Sequence, residues 1–85
     1  RVMDKWEQRT RPNRLERRFE FDSYKETRDF LDRLGYLSEA KKIFPDISFG
    51  KCYVNITLRP ESEDVNSSLS DSEYKFASEI DGLLN

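Results

Sequence analysis

The 85-residue chain has a formal net charge of −2, with 38% charged and only 35% hydrophobic residues, which is enough for one modest core and not two. It has no histidine and one cysteine, Cys52, which argues against a zinc site, imidazole acid–base chemistry, a histidine-activated nucleophile and an internal disulfide. No apolar run could cross a bilayer and no signal peptide is visible, so we expect no membrane partner.

Charge is distributed unevenly along the chain. Residues 1–18 carry seven basic and three acidic side chains, net +4, whereas residues 60–85 carry one basic and seven acidic, net −6. This polarity could steer a charged partner or a second copy, or it could reflect solvated faces alone. The basic stretch is short and the remainder is acidic, so we do not expect nucleic-acid binding.

The first predicted elements are an arm or short helix and a strand. Residues 1–13 are polar except for Trp6, which we expect to pack on the core. Residues 15–21 alternate as a strand does, with Arg18 and Glu20 on the outer face. The inner face of this strand is predicted to hold Leu15, Arg17, Phe19 and Phe21.

A long helix is predicted next. Ser23 and Glu26 form an S-x-x-E capping box, in which both side chains satisfy free amides at a helix start. This helix is predicted to end before Pro45. The residues at helical spacing that should face the core are Thr27, Phe30, Leu31, Leu34, Leu37 and Ser38.

Two more strands and a second helix complete the chain. Residues 46–49 read as an extended segment turning at Gly50-Lys51, and residues 52–59 alternate as the clearest strand. Residues 60–68 are acidic, serine-rich and loop-like. Ser70 and Glu73 form a second capping box, and the helix after it should bury Phe76, Ala77, Ile80, Leu83 and Leu84.

This element order predicts an α+β domain over residues 14–85, in which a small antiparallel sheet is covered on one face by helices. We expect three strands in that sheet. A sheet so small leaves edge backbone groups exposed, which favours pairing with a second copy as a homodimer.

Nearly the whole chain resembles the pterin-4a-carbinolamine dehydratases. Their pattern has a Trp, an F-x-F strand, a helix, E-x-x-x-H-H-P, a V-x-I-T-L strand, and L-S-x-x-D before the last helix. The counterparts here, in the same order, are Trp6, Phe19-Glu20-Phe21, Glu39, Pro45, Val54-Asn55-Ile56-Thr57-Leu58, Leu69-Ser70 and Ala77-Ser78. The resemblance implies the dehydratase fold.

The resemblance also implies that the catalytic groups are missing. In these enzymes two adjacent histidines and a third after the V-x-I-T-L strand handle protons near neutral pH. The corresponding positions here hold Ile43, Phe44 and Glu61, while Lys51 stands at an aromatic position and Glu73 at an aspartate position. We therefore predict no catalytic residues, no enzyme activity and no cofactor. In the enzymes the adjacent histidines line a polar cleft, which Ile43 and Phe44 would make apolar here. We expect these two residues to form either a docking surface or a part of the core.

A second resemblance is to the dehydratase-like Rubisco assembly factors found with α-carboxysome genes. It implies a homodimeric, non-enzymatic chaperone that binds Rubisco large subunits, located in the cytoplasm of an autotrophic bacterium, with carboxysome association open. The segments that carry this resemblance are Arg17–Asp22, Thr27–Leu31, Leu37–Glu39, Pro45–Gly50 and Tyr53–Asn55.

Two other functions remain open at this stage: a dimerisation or transcriptional cofactor on the same scaffold, and a residual dehydratase using Glu39, Glu61 and Glu73. The candidate partner-binding residues are polar side chains that strand or loop geometry leaves outside, together with the two residues that replace the adjacent histidines. They are Arg18, Glu20, Ile43, Phe44, Asp46, Ser48, Tyr53, Asn55 and Arg59.

Overall fold

The computed structural model describes residues 5–84, which form one antiparallel sheet, two helices and a closing 3-10 helix. In sheet order the strands run β1-β2-β4-β3, every pair is antiparallel, and the helices cover one face. The predicted α+β class is therefore confirmed. Among residues 5–84, no helix has the length and apolarity needed to cross a bilayer. The elements are β1 (Glu7–Arg9), β2 (Arg14–Glu20), α1 (Tyr24–Lys41), β3 (Asp46–Phe49), β4 (Tyr53–Leu58), α2 (Asp71–Asp81) and the 3-10 helix (Gly82–Leu84).

Strand β1 differs from the prediction. The sequence predicted an arm or short helix over residues 1–13. Residues 1–4 lie outside the described residues, and residues 7–9 form a strand that pairs with β2. All three side chains of β1 are exposed, so the segment lacks the apolar alternation that marks a strand. It forms because β2 offers unpaired backbone groups along its edge. The sheet has four strands rather than three, and the domain boundary at residue 13 stays a prediction.

A single core lies between the sheet and the helices. On β2, Leu15 and Phe19 pair with Leu58 and Val54 of β4, and all four are buried. Trp6 is 6% exposed and meets Phe19 edge to face with ring centroids 6.2 Å apart, as predicted for its role as an anchor. The helices contribute Phe30 and Leu34 from α1 and Phe76, Ala77 and Ile80 from α2.

Both predicted helix starts are confirmed. Ser23 Oγ accepts the Glu26 N–H at 3.1 Å, although the Glu26 carboxylate bonds the Asp22 N–H, also at 3.1 Å, instead of that of Ser23. At α2, the Ser70 N–H donates to Glu73 Oε1 at 2.6 Å.

The predicted buried stripes hold with one correction at the end of the chain. Leu84, expected inside, is 45% exposed. It faces outward because the chain leaves α2 at Gly82 and continues as a 3-10 helix, whose tighter turn changes the direction of the following side chains.

Helix α1 ends at a residue in the left-handed region. Lys42 has φ 59° and ψ 38°, and its N–H donates to the carbonyl of Ser38. Glycine is the usual residue at this position, because a Cβ there approaches the following carbonyl oxygen. The left-handed turn directs the chain toward Pro45 and β3 and costs free energy in the folded state.

We predict that Lys42→Gly raises the free energy of unfolding by about 0.5–1 kcal/mol, because glycine adopts this conformation without the steric penalty. Ala40→Gly, two residues earlier in the exposed helical turn, should lower it by up to about 1 kcal/mol. Urea denaturation at neutral pH measures both. Equal destabilisation by the two variants would show that Lys42 is not strained.

A partly buried ion pair joins β2 to the end of α2. Arg17 Nη1 donates to Asp81 Oδ1 at 2.5 Å, and Trp6 Nε1 donates to the same oxygen at 2.9 Å. The guanidinium also lies 4.1 Å from the centroid of the Phe19 ring. Asp81 stands at a helix C-terminus, where the helix dipole disfavours a negative charge, so Arg17 must compensate for its placement.

We predict that Asp81→Asn lowers the free energy of unfolding by about 3 kcal/mol, because Arg17 would keep its charge with side-chain exposure of only 12% and no anion beside it. Asp29→Asn is the matched control: Asp29 pairs with Lys25 in solvent, and its loss should leave the urea midpoint nearly unchanged. A midpoint for Asp81→Asn equal to that of the control would rule out this role for the pair.

Candidate functional site

Five candidate residues lie together on the sheet face that points away from the helices, hereafter the outer sheet face. Strand pairing places Arg18 beside Asn55 and Asn55 beside Ser48, so one row crosses β2, β4 and β3. Glu20 and Tyr53 form the next row. Alternation along the strands predicted this grouping correctly, since residues two apart share a face.

Side-chain contacts connect these five residues. Arg18 Nε lies 3.0 Å from Glu20 Oε2, and its guanidinium lies 4.1 Å from the centroid of the Tyr53 ring. Arg18 Nη1 donates to Asn55 Oδ1 at 3.5 Å, and Asn55 Nδ2 donates to Ser48 Oγ at 3.4 Å. The outer sheet face is therefore a connected polar surface whose arginine is already oriented by its neighbours.

The turn at Gly50 makes room for the Tyr53 ring. A Cβ built on Gly50 would overlap that ring, so only glycine permits so close an approach. The Gly50 N–H also donates to the Tyr53 carbonyl at 3.0 Å and closes the β3–β4 hairpin. Hairpin geometry thereby fixes the position of an aromatic residue on the outer sheet face.

Charges of both signs alternate where β1 pairs with β2. Glu16 lies between Arg14 Nε, 2.6 Å away, and Arg9 Nε, 2.9 Å away. The hydrogen bonds from Arg14 and then Arg9 hold the pKa of the Glu16 carboxyl below its ordinary value. Glu16 consequently remains ionised at neutral pH, and the paired strands β1 and β2 present paired charges rather than a block of one sign.

A second site is a cavity of about 250 Å³, hereafter the end cleft, formed where several elements end. Ile43 and Phe44 reach it from the segment after α1, Glu61 from the segment after β4, and Glu73 from the first turn of α2. The three residues that the sequence resemblance places at histidine positions thus line one cavity. Their neighbourhood follows from the antiparallel pairing of β3 with β4, which brings residues 46 and 57 together.

The walls of the end cleft differ in exposure. Ile43 packs against the core, whereas the Phe44 side chain is 64% exposed, so Ile43 contributes to the core, while a docking role for Phe44 stays a prediction. Asp46 and Arg59, two further candidates, form an ion pair at 2.6 Å and also line the cleft. Glu39 is not among the lining residues. It is exposed and pairs with Lys42 at 3.5 Å.

Sequence reasoning missed two exposed apolar residues on β3. Ile47 and Phe49 pair with Ile56 and Val54, whose side chains enter the core, so they lie on the helix side of the sheet. They are nevertheless 41% and 46% exposed, because β3 is an edge strand that the helices do not cover. The D-I-S-F alternation was visible in the sequence, but the extent of helix cover was not.

Comparison with known proteins adds to this geometry. The sequence pattern of one family, described as pterin 4 alpha carbinolamine dehydratase, matches residues 1–83. Two curated relatives are both named "Putative pterin-4-alpha-carbinolamine dehydratase". The one from Rubrobacter xylanophilus is 36% identical over 81% of this chain and 62% of its own length, and the one from Aromatoleum aromaticum is 35% identical over 81% and 59%. The chain thus spans about 60% of the length of these relatives.

Two solved structures have the same fold. One is described as a pterin dehydratase-like protein identified as a RuBisCO assembly factor in the alpha-carboxysome. It is 38% identical, has a TM-score of 0.85, and the match covers 100% of this chain and 95% of that one. The other, a transcriptional coactivator/pterin dehydratase from Brucella melitensis, has a TM-score of 0.82 over 96% of this chain and 84% of its own, but at 18% identity it shows the fold alone.

Proposed function

The chain belongs to the pterin 4 alpha carbinolamine dehydratase family, and from that premise we propose that it is a non-catalytic assembly chaperone that binds Rubisco large subunits. One observation carries the proposal: the end cleft holds Ile43, Phe44 and Glu61 at the positions where the dehydratase pattern has histidines. Dehydration of a pterin needs groups that exchange protons near neutral pH, and this chain has no histidine. Loss of the chemistry with retention of the scaffold favours binding.

The choice of partner rests on likeness. The solved structure described as a RuBisCO assembly factor matches the whole chain, with more than twice the sequence identity of the Brucella protein. The outer sheet face supports a protein partner in general, because arginine and tyrosine combine large contact area with directional hydrogen bonds. Contacts that are polar and moderate in extent can be released when subunits complete their own interfaces, so no nucleotide is needed.

A homodimer in the cytoplasm is part of the same proposal, with carboxysome association left open. The outer edge of β3 has no partner strand among residues 5–84, and beside it lie the exposed apolar side chains of Ile47 and Phe49. Pairing with the β3 edge of a second copy would satisfy backbone groups and cover both side chains. Ile47 and Phe49 therefore support self-association more directly than the charges at the two ends of the sequence do.

Residual dehydratase activity is the rival suggested by the names of the curated relatives. Of the three carboxylates that the sequence offered for it, Glu61 and Glu73 line the end cleft and Glu39 does not. Two carboxylates with no imidazole beside them are a poor replacement for three histidines at neutral pH.

The direct test is co-expression of Rubisco large and small subunits with and without the protein. We predict more assembled holoenzyme with the protein present, and large subunits that co-purify with it. Arg18→Ala should weaken this capture about fivefold, because it removes a contact of the size expected for an interface anchor. Arg28→Ala, an exposed arginine of α1 away from both sites, is the matched control and should bind normally. Unchanged holoenzyme yield with no co-purifying large subunit would refute the proposal.

We also predict that the double variant Ile43→His, Phe44→His does not dehydrate a 4a-hydroxytetrahydropterin faster than buffer. The third proton carrier would still be absent, since Glu61 occupies its position in the end cleft. A spectrophotometric dehydratase assay measures the rate, and an active dehydratase of the family serves as the positive control. Turnover by the wild-type chain itself would overturn the assignment as a non-enzyme.

A further inference from the structure

The end cleft is lined by a buried carboxylate, that of Glu73, of which only one oxygen accepts hydrogen bonds from residues 5–84. Glu73 is 3% exposed, and its Oε1 accepts hydrogen bonds from the Ser70 N–H at 2.6 Å and the Ser70 hydroxyl at 2.7 Å. Its Oε2 accepts no hydrogen bond from residues 5–84. Glu73 lines the end cleft and also the adjoining pocket beside Ser70, and its Oε2 is not sealed within protein. A carboxylate oxygen shielded from bulk water strongly favours a donor, and a charged donor most of all.

The neighbouring cations are already engaged. Arg59 Nε lies 2.6 Å from Asp46 Oδ2, and Lys42 Nζ lies 3.5 Å from Glu39 Oε1. Neither Glu73 nor Glu61 forms an ion pair with any residue between 5 and 84. The end cleft therefore presents negative charge that its own basic residues do not neutralise, and a cationic group is its complement.

The size and the walls of the end cleft select one kind of cation. Its volume of about 250 Å³ lies below the range of about 300–1,000 Å³ typical of small-molecule pockets, so it suits a single side chain. Ile43 and Leu58 give it apolar walls, and Phe44 offers an exposed ring. Arginine has an apolar stem and a planar, weakly hydrated guanidinium that stacks on aromatic rings and donates in several directions. Lysine has no planar group for stacking and is more strongly hydrated.

We propose that the end cleft receives an arginine side chain from the partner protein. Its guanidinium donates to Glu73 Oε2 and lies against the Phe44 ring, while its stem contacts the apolar walls. That the partner is a Rubisco large subunit rests on the proposed function. The recognition of arginine rests on the cleft alone, so the two ideas can fail separately.

The first arm of the test needs no partner protein. The backbone amide chemical shifts of the whole chain are followed by NMR during titration with N-acetyl-arginine methylamide. The amide signals of Lys42, Ile43 and Ser70 should shift, and the change in chemical shift should reach a plateau as the site saturates. The citrulline counterpart has the same shape without the charge, and it should bind about tenfold more weakly, which corresponds to the loss of one charge-assisted hydrogen bond. The lysine and norleucine counterparts should also bind more weakly. Equal shifts with citrulline or norleucine, or none with arginine, would overturn the proposal.

The second arm uses variants in both the titration and large-subunit capture. Glu73→Gln keeps a residue that the capping position accepts, so α2 should form, and binding should weaken about tenfold. Glu63→Gln removes one charge from the exposed loop outside the cleft and should leave binding unchanged. Phe44→Ala removes an exposed ring and should have little effect on folding, so it tests the cleft independently if Glu73→Gln is unstable. Loss of the ring should weaken binding about fivefold.

The outcomes separate the two proposals. If the wild-type chain captures no large subunit but binds the arginine amide in a manner dependent on Glu73, the Rubisco assignment fails and the cleft assignment holds. If large subunits are captured equally well by wild type, Glu73→Gln and Phe44→Ala, and arginine amide leaves the cleft amides unmoved, the cleft assignment fails and the chaperone assignment stands.

Discussion

The contact between Arg17, Asp81 and Trp6 joins parts of the chain that are far apart in sequence. One oxygen of Asp81 accepts from β2 and from the indole before β1, so the first strands and the end of α2 share an anchor. Each charge is unfavourably placed without the other: the arginine lies on the core side of the sheet, and the aspartate lies at a helix C-terminus. Because the domain has a single small core, this polar connection determines where α2 ends relative to the sheet and hence where its first turn meets the end cleft.

Most of the fold was predictable because local pattern and burial agree. Strict alternation identified β2 and β4, and the two serine–glutamate pairs located the starts of α1 and α2. β1 was not predictable, since three polar, exposed residues carry no periodic signal and their pairing depends on the free edge of β2. Leu84 was misplaced because helical spacing was extended beyond the residue at which α2 ends.

The candidate site was predictable to a different degree. Alternation correctly placed Arg18, Tyr53 and Asn55 on one face, but it could not show that Arg18 contacts both of the others. The resemblance to the dehydratase pattern pointed to Ile43 and Phe44 as the residues at the histidine positions, yet only the tertiary structure separates Ile43, packed on the core, from the exposed ring of Phe44. Burial of a carboxylate at a helix start depends on how α2 meets the rest of the fold, so the sequence carried no signal for it.

The end cleft is a favourable place for a scaffold to change its function at low cost in stability. Ile43, Phe44 and Glu61 lie in the segments after α1 and after β4, outside every strand and helix. Substitution at such positions leaves strand register and helix caps intact, and only Ile43 takes part in core packing. Proton-transfer chemistry requires several groups with suitable pKa values at once, whereas a binding surface needs only complementary shape and charge. A domain can therefore lose the reaction through changes at these few positions and still keep the sheet, the core and a cleft able to hold a side chain.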